Sequence, residues 1–477
     1  MAVTQLDATR PLVRAAGAAA EVPCLDGAVR PYVDLDCAAS TPCSIAVAEA
    51  VEKFLQSYSS VHRGAGFKSR LSTVAYEAAR GLALRHAGRD GGATDGDTAV
   101  ICRNTTEALN HLAFRLRLEP DDVVLTTVVE HHANLLPWAR YARRRYVECA
   151  TDGTFGIEDV AAGLDARPVP KLLALTGASN VTGWLPPVAE ICEAAHARGV
   201  PVVLDAAQLA PHRPLPVGPD FVAWSGHKMY APFGAGVLVG PRATFSDGEP
   251  FLAGGGAVEL VDLDEVLWTD PPEREEAGSP NVVGAVALGA AIEELAGIGW
   301  DTISRHEAAL SSRLRLGLHS MDGVRLLGPP VDEETLPVAT FTVEGMHHGL
   351  VAARLATEFG IGVRHGCFCA HPYLVRLLGI GHDGIARARS QVLRGDRRHI
   401  PGAVRASAGL TTTAVDVDAF LAALRTLIAG SGSSAGSGSP PPFDYVQDAV
   451  TGDFFPASGS AGWWSPAEGA SGGCALG

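Results

Sequence analysis

The chain has 477 residues, 47% of them apolar, and a formal net charge of −15. That length suits two lobes with tails, and that apolar share can bury a large core. The acidic balance argues against nucleic acid or an anionic membrane as the main partner, and no apolar run reaches the roughly 18 residues of a membrane helix. Residues 1–30 carry no clear periodicity and read as a loose tail. Their alanine-rich stretch is interrupted by Arg14 and makes a poor secretion signal, so a cytoplasmic protein is expected.

From residue 31 to 300, apolar strand-like runs alternate with helical stretches. DDVVLTTVV, KLLALTGAS, VPVVLDAAQ and DFVAWSG are strand candidates. Between the second and third, VAEICEAAHARG sets Ile191, Ala194, Ala195 and Arg198 at helical spacing before a stop at Gly199. Such alternation predicts an open, mostly parallel sheet covered on both faces. GAVALGAAIEELAGIG reads as a buried helix ending in glycine. Residues 301–430 form a second block, a smaller α+β lobe: the amphipathic helix ISRHEAALSSRLRLGLHSM, the strand VATFTVEG, and the helices HHGLVAARLATEFG and VDVDAFLAALRTLIAG. Residues 431–477 open with the linker SGSSAGSGSPPP and continue as a flexible Gly-, Ser- and Pro-rich tail. There is no internal repeat.

Nine cysteines are scattered without a disulfide pattern, and Cys367 with Cys369 form the one cluster. Lysine is scarce: Lys53, Lys68, Lys171 and Lys228 are all there are. Lys228 alone lies between glycine-bearing turns, 23 positions after Asp205, which ends an apolar strand. Ligands of open α/β sheets bind at that strand edge. By itself Asp205 is as readily a helix cap as a charge partner. Together the two supply what a pyridoxal-phosphate site needs, a lysine for the aldehyde and an acid for the ring nitrogen.

With DLDCAAS, VHRGAG, NTTEALN, EHHANLLPW, SNVTG, DAAQ, SGHK, EAGSPN, RHGCFCAHP and VRASAG in order, the chain resembles the class-V aminotransferase family over about residues 31–429. Within it, the chain is most similar to cysteine desulfurases and selenocysteine lyases. The resemblance implies an α/β type I pyridoxal-phosphate fold, with a large mostly parallel domain, a smaller α+β C-terminal domain, and a homodimer with sites at the interface. It implies Lys228 as the Schiff-base lysine, Asp205 on the pyridine nitrogen, Gln208 on the ring hydroxyl and His131 against the ring face. Thr105, Thr106, Ser225 and His227 would hold the phosphate, with Ser279 from the other subunit. Asn180, Arg364 and Arg405 would face the substrate, Arg405 gripping its carboxylate, with His62 and Arg63 as weaker candidates.

Cys369 aligns with the desulfurase nucleophile, and Arg364, His365 or His371 are candidates to favour its thiolate. The expected reaction takes sulfur from L-cysteine as a persulfide, releases alanine and hands the sulfur to an acceptor protein. Alternatives are an epimerase, transaminase or C–S/C–N lyase of the same fold, and a non-catalytic scaffold. No metal is assigned, because His365, Cys367, Cys369 and His371 in an extended strand would spread over about 20 Å. Two departures from the family pattern are the extra thiol Cys367 and the arginine-rich insertion GHDGIARARSQVLRGDRRHIPG before Arg405.

Overall fold

The computed structural model of the chain describes residues 8–89, 96–431 and 443–457. Its centre is a seven-stranded sheet of β1 (Asp97–Cys102), β2 (Val123–Thr127), β3 (Arg143–Val147), β4 (Leu172–Thr176), β5 (Val202–Asp205), β6 (Phe221–Ser225) and β7 (Gly236–Pro241). The spatial order is β1-β7-β6-β5-β4-β2-β3. Neighbours are parallel except around β7, which runs antiparallel to β1 and β6. The four strand candidates of the sequence are β2, β4, β5 and β6.

Side chains alternate between the two faces, as the strand period requires. Leu173, Leu175, Val202, Leu204, Val222 and Trp224 enter one buried cluster, whereas Leu172, Ala174, Val203, Phe221 and Ala223 enter another. Around the sheet lie α1 (Ile45–Leu55), α2 (Phe67–His86), α3 (Thr105–Arg115), α4 (Ile157–Asp165), α5 (Val188–His196) and α6 (Val282–Ile298). Leu109 and Leu112 of α3 fill the second cluster, and α4 and α5 add Val160, Leu164, Ile191 and Ala195 to the first. Covering both faces is what demands nearly continuous apolar strands. The same period carries Thr176, Asp205 and Ser225 to the α3 side, at the C-terminal ends of their strands. Gly236, paired with Ser225, lets α3 start close above that edge, since a Cβ there would stand 2.6 Å from the Asn104 backbone.

The second lobe begins in α7 (Trp300–His319), where Ile303 still belongs to the first cluster and Leu310 to the lobe's own core. Its sheet has β8 (Val324–Leu327), β9 (Val338–Val343), β10 (Arg364–Gly366) and β11 (Ala403–Ser407), antiparallel in the order β8-β9-β11-β10. α8 (His348–Phe359), α9 (His371–Leu377), α10 (His382–Leu393) and α11 (Ala414–Ser431) complete it.

Both chain ends depart from the sequence reading. Residues 8–30 are not a loose tail. Val13 is buried, the N–H groups of Leu12 and Val13 donate to Leu410 O, and Glu21–Pro23 pairs with Val29–Pro31. The bonds to Leu410 reach across the whole chain, so no local period announces them. Within 431–477, residues 443–457 form the hairpin Tyr445–Gln447/Phe454–Pro456, tied to α8 by Tyr445 Oη and Thr357 Oγ1 at 2.6 Å. The linker at 432–442 and the stretch after 457 lie outside the described residues. Among the described residues no single helix is long and apolar enough to cross a membrane.

Candidate active site

A cavity of 370 Å³ opens at the C-terminal edge of the large sheet. Lys228 enters it from the short turn Gly226–Lys228 that follows β6. Burial pushes its ammonium down to about 8, opposed by the attraction of Asp205 and helped by repulsion from Arg405. Asp205 is itself buried, which raises its carboxyl. Its Oδ1 accepts from Ala207 N at 3.0 Å, and Oδ2 has no protein partner among the described residues. Gln208 Nε2 donates to Ala38 O at 2.6 Å, leaving its carbonyl as the group without a protein partner among those residues.

His131 follows β2. Its Nδ1 accepts from Ala133 N at 3.0 Å, so a neutral ring carries its proton on Nε2. Burial, then Lys228, hold it neutral by pushing its value down to about 3. Beside it, Glu130 is wholly buried and anchors three elements. It accepts from Thr127 Oγ1 and Thr176 N, both at 2.9 Å, and from Asn134 Nδ2 at 2.7 Å.

At the other end of the cavity, Ser225 Oγ accepts from Thr105 N at 2.7 Å and lies 2.6 Å from Thr105 Oγ1. Asn104 caps α3 through Glu107 N. Thr106, on the cavity wall, has no hydrogen-bond partner for its N–H among the described residues. A helix N-terminus with free N–H groups and hydroxyls favours a phosphate. His227 also lines this end, and burial pushes its ring down to about 4.

The cysteine loop closes the cavity from the second lobe. Phe368 and Cys369 both have positive φ, 56° and 53°, a conformation that side chains other than glycine's rarely adopt. Asn180 Nδ2 donates to Phe368 O at 2.7 Å, His132 N to Cys369 O at 2.8 Å, and Ala370 N to Cys367 O at 2.9 Å. The backbone is thus pinned while the Cys369 side chain stays exposed. Burial lowers His365 and His371, so those rings are neutral, and Lys228 and Arg405 are cations in electrostatic reach of the Cys369 sulfur. The loop histidines part company. His371 stacks on His132, while His365 Nδ1 lies 3.3 Å from His348 Nδ1. Cys367 is half-buried, and burial raises its thiol.

Arg405 is 2% exposed. Its Nη1 donates to Asn180 O at 2.8 Å, its guanidinium lies 5.0 Å from the Phe368 ring centroid, and its buried Nε has no partner. Arg364 sits beside it at the mouth, its side chain half-exposed. The cavity therefore gathers the expected cofactor and substrate residues except Ser279, His62 and Arg63. Ser279 lines a separate hollow of 670 Å³ with His62 and Arg63, so within one chain these three do not meet Lys228. Sequence reasoning did not name Asn104 and Phe368, which line the cavity, or Asp36 and Glu130, which hold residues that line it. Asp36 and Glu130 stood inside the recognised motifs DLDCAAS and EHHANLLPW, and an acid within a motif was the signal available.

The set fits a phosphorylated pyridine aldehyde: a lysine near neutrality, a buried acid with an unpartnered oxygen, a neutral imidazole and a hydroxyl-lined helix start. The model of the family described as aminotransferase class-V matches residues 33–420. The chain belongs to the class-V aminotransferase family. This class-V protein is 37% identical over 366 residues to a probable cysteine desulfurase of Halalkalibacterium halodurans, covering 74% of this chain and 88% of that one. It is 35% identical to a cysteine desulfurase of Dickeya dadantii over 372 residues, 75% of this chain and 88% of the relative. Its fold is similar to the apo cysteine desulfurase of Thermococcus onnurineus, with a TM-score of 0.74, 32% identity and coverage of 84% and 95% of the two chains. It is also similar to the Escherichia coli cysteine desulfurase CsdA, with a TM-score of 0.70, 32% identity and coverage of 83% and 94%.

Proposed function

We propose that the protein is a pyridoxal-phosphate-dependent cysteine desulfurase that takes sulfur from L-cysteine onto Cys369 and leaves alanine. The observation that carries this reading is an exposed thiol on a pinned loop, facing the same cavity as Lys228 and Arg405. When bound, the cofactor supplies an aldehyde for the substrate amine and a conjugated ring that accepts electrons from Cα.

The chain's own groups do the rest. Arg405, on the cavity wall, and Arg364 hold the substrate carboxylate. Lys228, with a value of about 8, takes the Cα proton and can return it near neutral pH. Asp205 keeps the ring nitrogen protonated, and Gln208 and Asn180 orient the ring hydroxyl and substrate. His131 covers the ring without adding charge. Thr105, Thr106, Ser225 and His227 hold the phosphate. The Cys369 thiolate then attacks the substrate sulfur. An S–S bond forms as the C–S bond breaks, and the carbon keeps the electron pair and gains a proton.

A homodimer belongs to this reading, with Ser279 of a second copy completing the phosphate site. Beside the Ser279 hollow, the hairpin Val258–Val261/Val266–Trp268 exposes Leu260, Leu263 and Leu267, and Arg63 Nη2 donates to Val258 O. An apolar tip of this kind suits burial against another copy.

The test is to incubate cofactor-loaded protein with L-cysteine and a thiol reductant while following alanine and sulfide. Equal amounts of both, lost in Cys369→Ala, support the reading. A yellow protein with no turnover would move it to another amino-acid substrate.

A further inference from the structure

We infer that the inserted helix α10 is a docking surface for an acidic, thiol-bearing protein that takes the sulfur from Cys369. This rests on the desulfurase reading. Both ends of the insertion are anchored beside the cysteine loop. It leaves through α9, which begins two residues after Cys369. It returns at Ala403, which pairs with Gly366, three residues before Cys369. The return is firmly held: Arg397 N donates to Ala449 O at 2.9 Å, and Gln447 Nε2 donates to Arg398 O at 3.1 Å.

Between these anchors stands α10, a 12-residue helix with no buried residue. A helix this short is marginal in water without a partner. Gly384, Ala388, Gln391 and Val392 lean half-buried on the protein. Arg387 and Arg394 project on one flank, and Arg389 on the other with the exposed Ile385 and Leu393. Among the described residues none of these three arginines has an ion pair; Arg394 reaches only Ser390 Oγ, at 2.8 Å.

The chemistry selects the partner. A chain of net charge −15 concentrates five arginines against two aspartates in residues 379–402. Unpaired arginines along roughly 18 Å of helix attract carboxylates, and the two aliphatic side chains beside Arg389 give the apolar contact typical of protein interfaces. A net-acidic molecule is poorly suited to nucleic acid or anionic lipid. The insertion that carries this helix starts and ends next to the loop that would hold the persulfide. The transfer itself is balanced: the acceptor thiolate attacks the outer sulfur, a new S–S bond forms, and Cys369 leaves as a thiolate.

The test uses the cofactor-loaded enzyme, L-cysteine and three synthetic cysteine peptides, glutamate-rich, serine-rich and lysine-rich. Peptide persulfide is read by mass spectrometry, alongside alanine formed with dithiothreitol. The glutamate-rich peptide should accept sulfur about tenfold faster than the serine-rich one at low salt, with the advantage fading as salt rises. In the triple variant Arg387→Glu, Arg389→Glu, Arg394→Glu that advantage should vanish while alanine formation with dithiothreitol is unchanged. Equal rates for all three peptides would overturn the inference. So would an advantage that survives in the variant, or arginine-dependent binding to anionic vesicles or DNA without charge-selective transfer. No alanine with dithiothreitol in either protein would instead strike the desulfurase reading itself.

Discussion

Asp36 Oδ1 lies 3.1 Å from Arg405 Nη2, and the other oxygen of the same carboxylate lies 2.9 Å from Arg364 Nη2. One acid thus aims both arginines at the cavity. Removing one partner of a buried ion pair leaves an uncompensated charge, at a cost of about 3–5 kcal/mol when nothing else helps. Here Asn180 O and Phe368 soften the loss. Asp36→Asn should therefore melt lower than the parent. A carboxylate ligand should restore what was lost, so saturating L-alanine should raise the melting temperature more in the variant than in the parent. Equal shifts would mean that Asp36 does not guard the carboxylate seat.

Lys228 sets a second expectation. The neutral amine is the form that captures an aldehyde. An ordinary lysine near 10.5 would give a capture rate that climbs tenfold per pH unit throughout the neutral range. Burial lowers Lys228 to about 8, so the climb should level off near pH 8. Stopped-flow absorbance of cofactor-free protein mixed with pyridoxal phosphate at pH 6–10 reads this directly.

The two thiols of the loop should separate cleanly. Burial raises Cys367 above its usual value, so at neutral pH it stays a thiol and is no first nucleophile. Cys367→Ser should keep alanine formation within about twofold, while Cys369→Ala should lose at least about a hundredfold. Alanine and sulfide assays on both variants, in parallel, check this.

Glu130 ties stability to pH. Despite three donors, burial pushes its carboxyl from 4.5 up to about 8. Between those values the unfolded chain has released a proton that the folded chain still holds. Stability therefore falls as pH rises through that window and is flat beyond it. Glu130→Gln cannot ionise, so its urea-unfolding free energy should drop less between pH 5 and pH 8, by about 2–4 kcal/mol. Identical pH slopes would show that Glu130 is ionised in the folded protein.

The large sheet was legible because its determinants are local. β4, β5 and β6 are apolar on both faces up to their last residue, so both faces had to be covered. Lys228 could be named because only four lysines exist, and Asp205 because it ends an apolar strand. The motif register then supplied Thr105, Ser225, Asn180 and Arg405, and the structure brings all of them to one cavity. Asp36 stood in a recognised motif, yet its partner lies 369 positions away, and no local pattern joins the two. Residues 8–30 were misread for the same reason, since their partners include Leu410, Ala414 and Thr357.

By itself, then, the sequence determined the strand and helix pattern, the candidate lysine and cysteine, and the chemical set around them. These follow from periodicity, residue type and motif order, all of which are read along the chain. Only the tertiary structure decided that one carboxylate aims two arginines, that Glu130 binds two strand ends and the His131 loop, and that Ser279 lies apart from Lys228. It also decided that α10 stands exposed on an insertion whose ends adjoin the cysteine loop. Each of these depends on burial and on contacts between distant segments, and those exist only once the chain has packed.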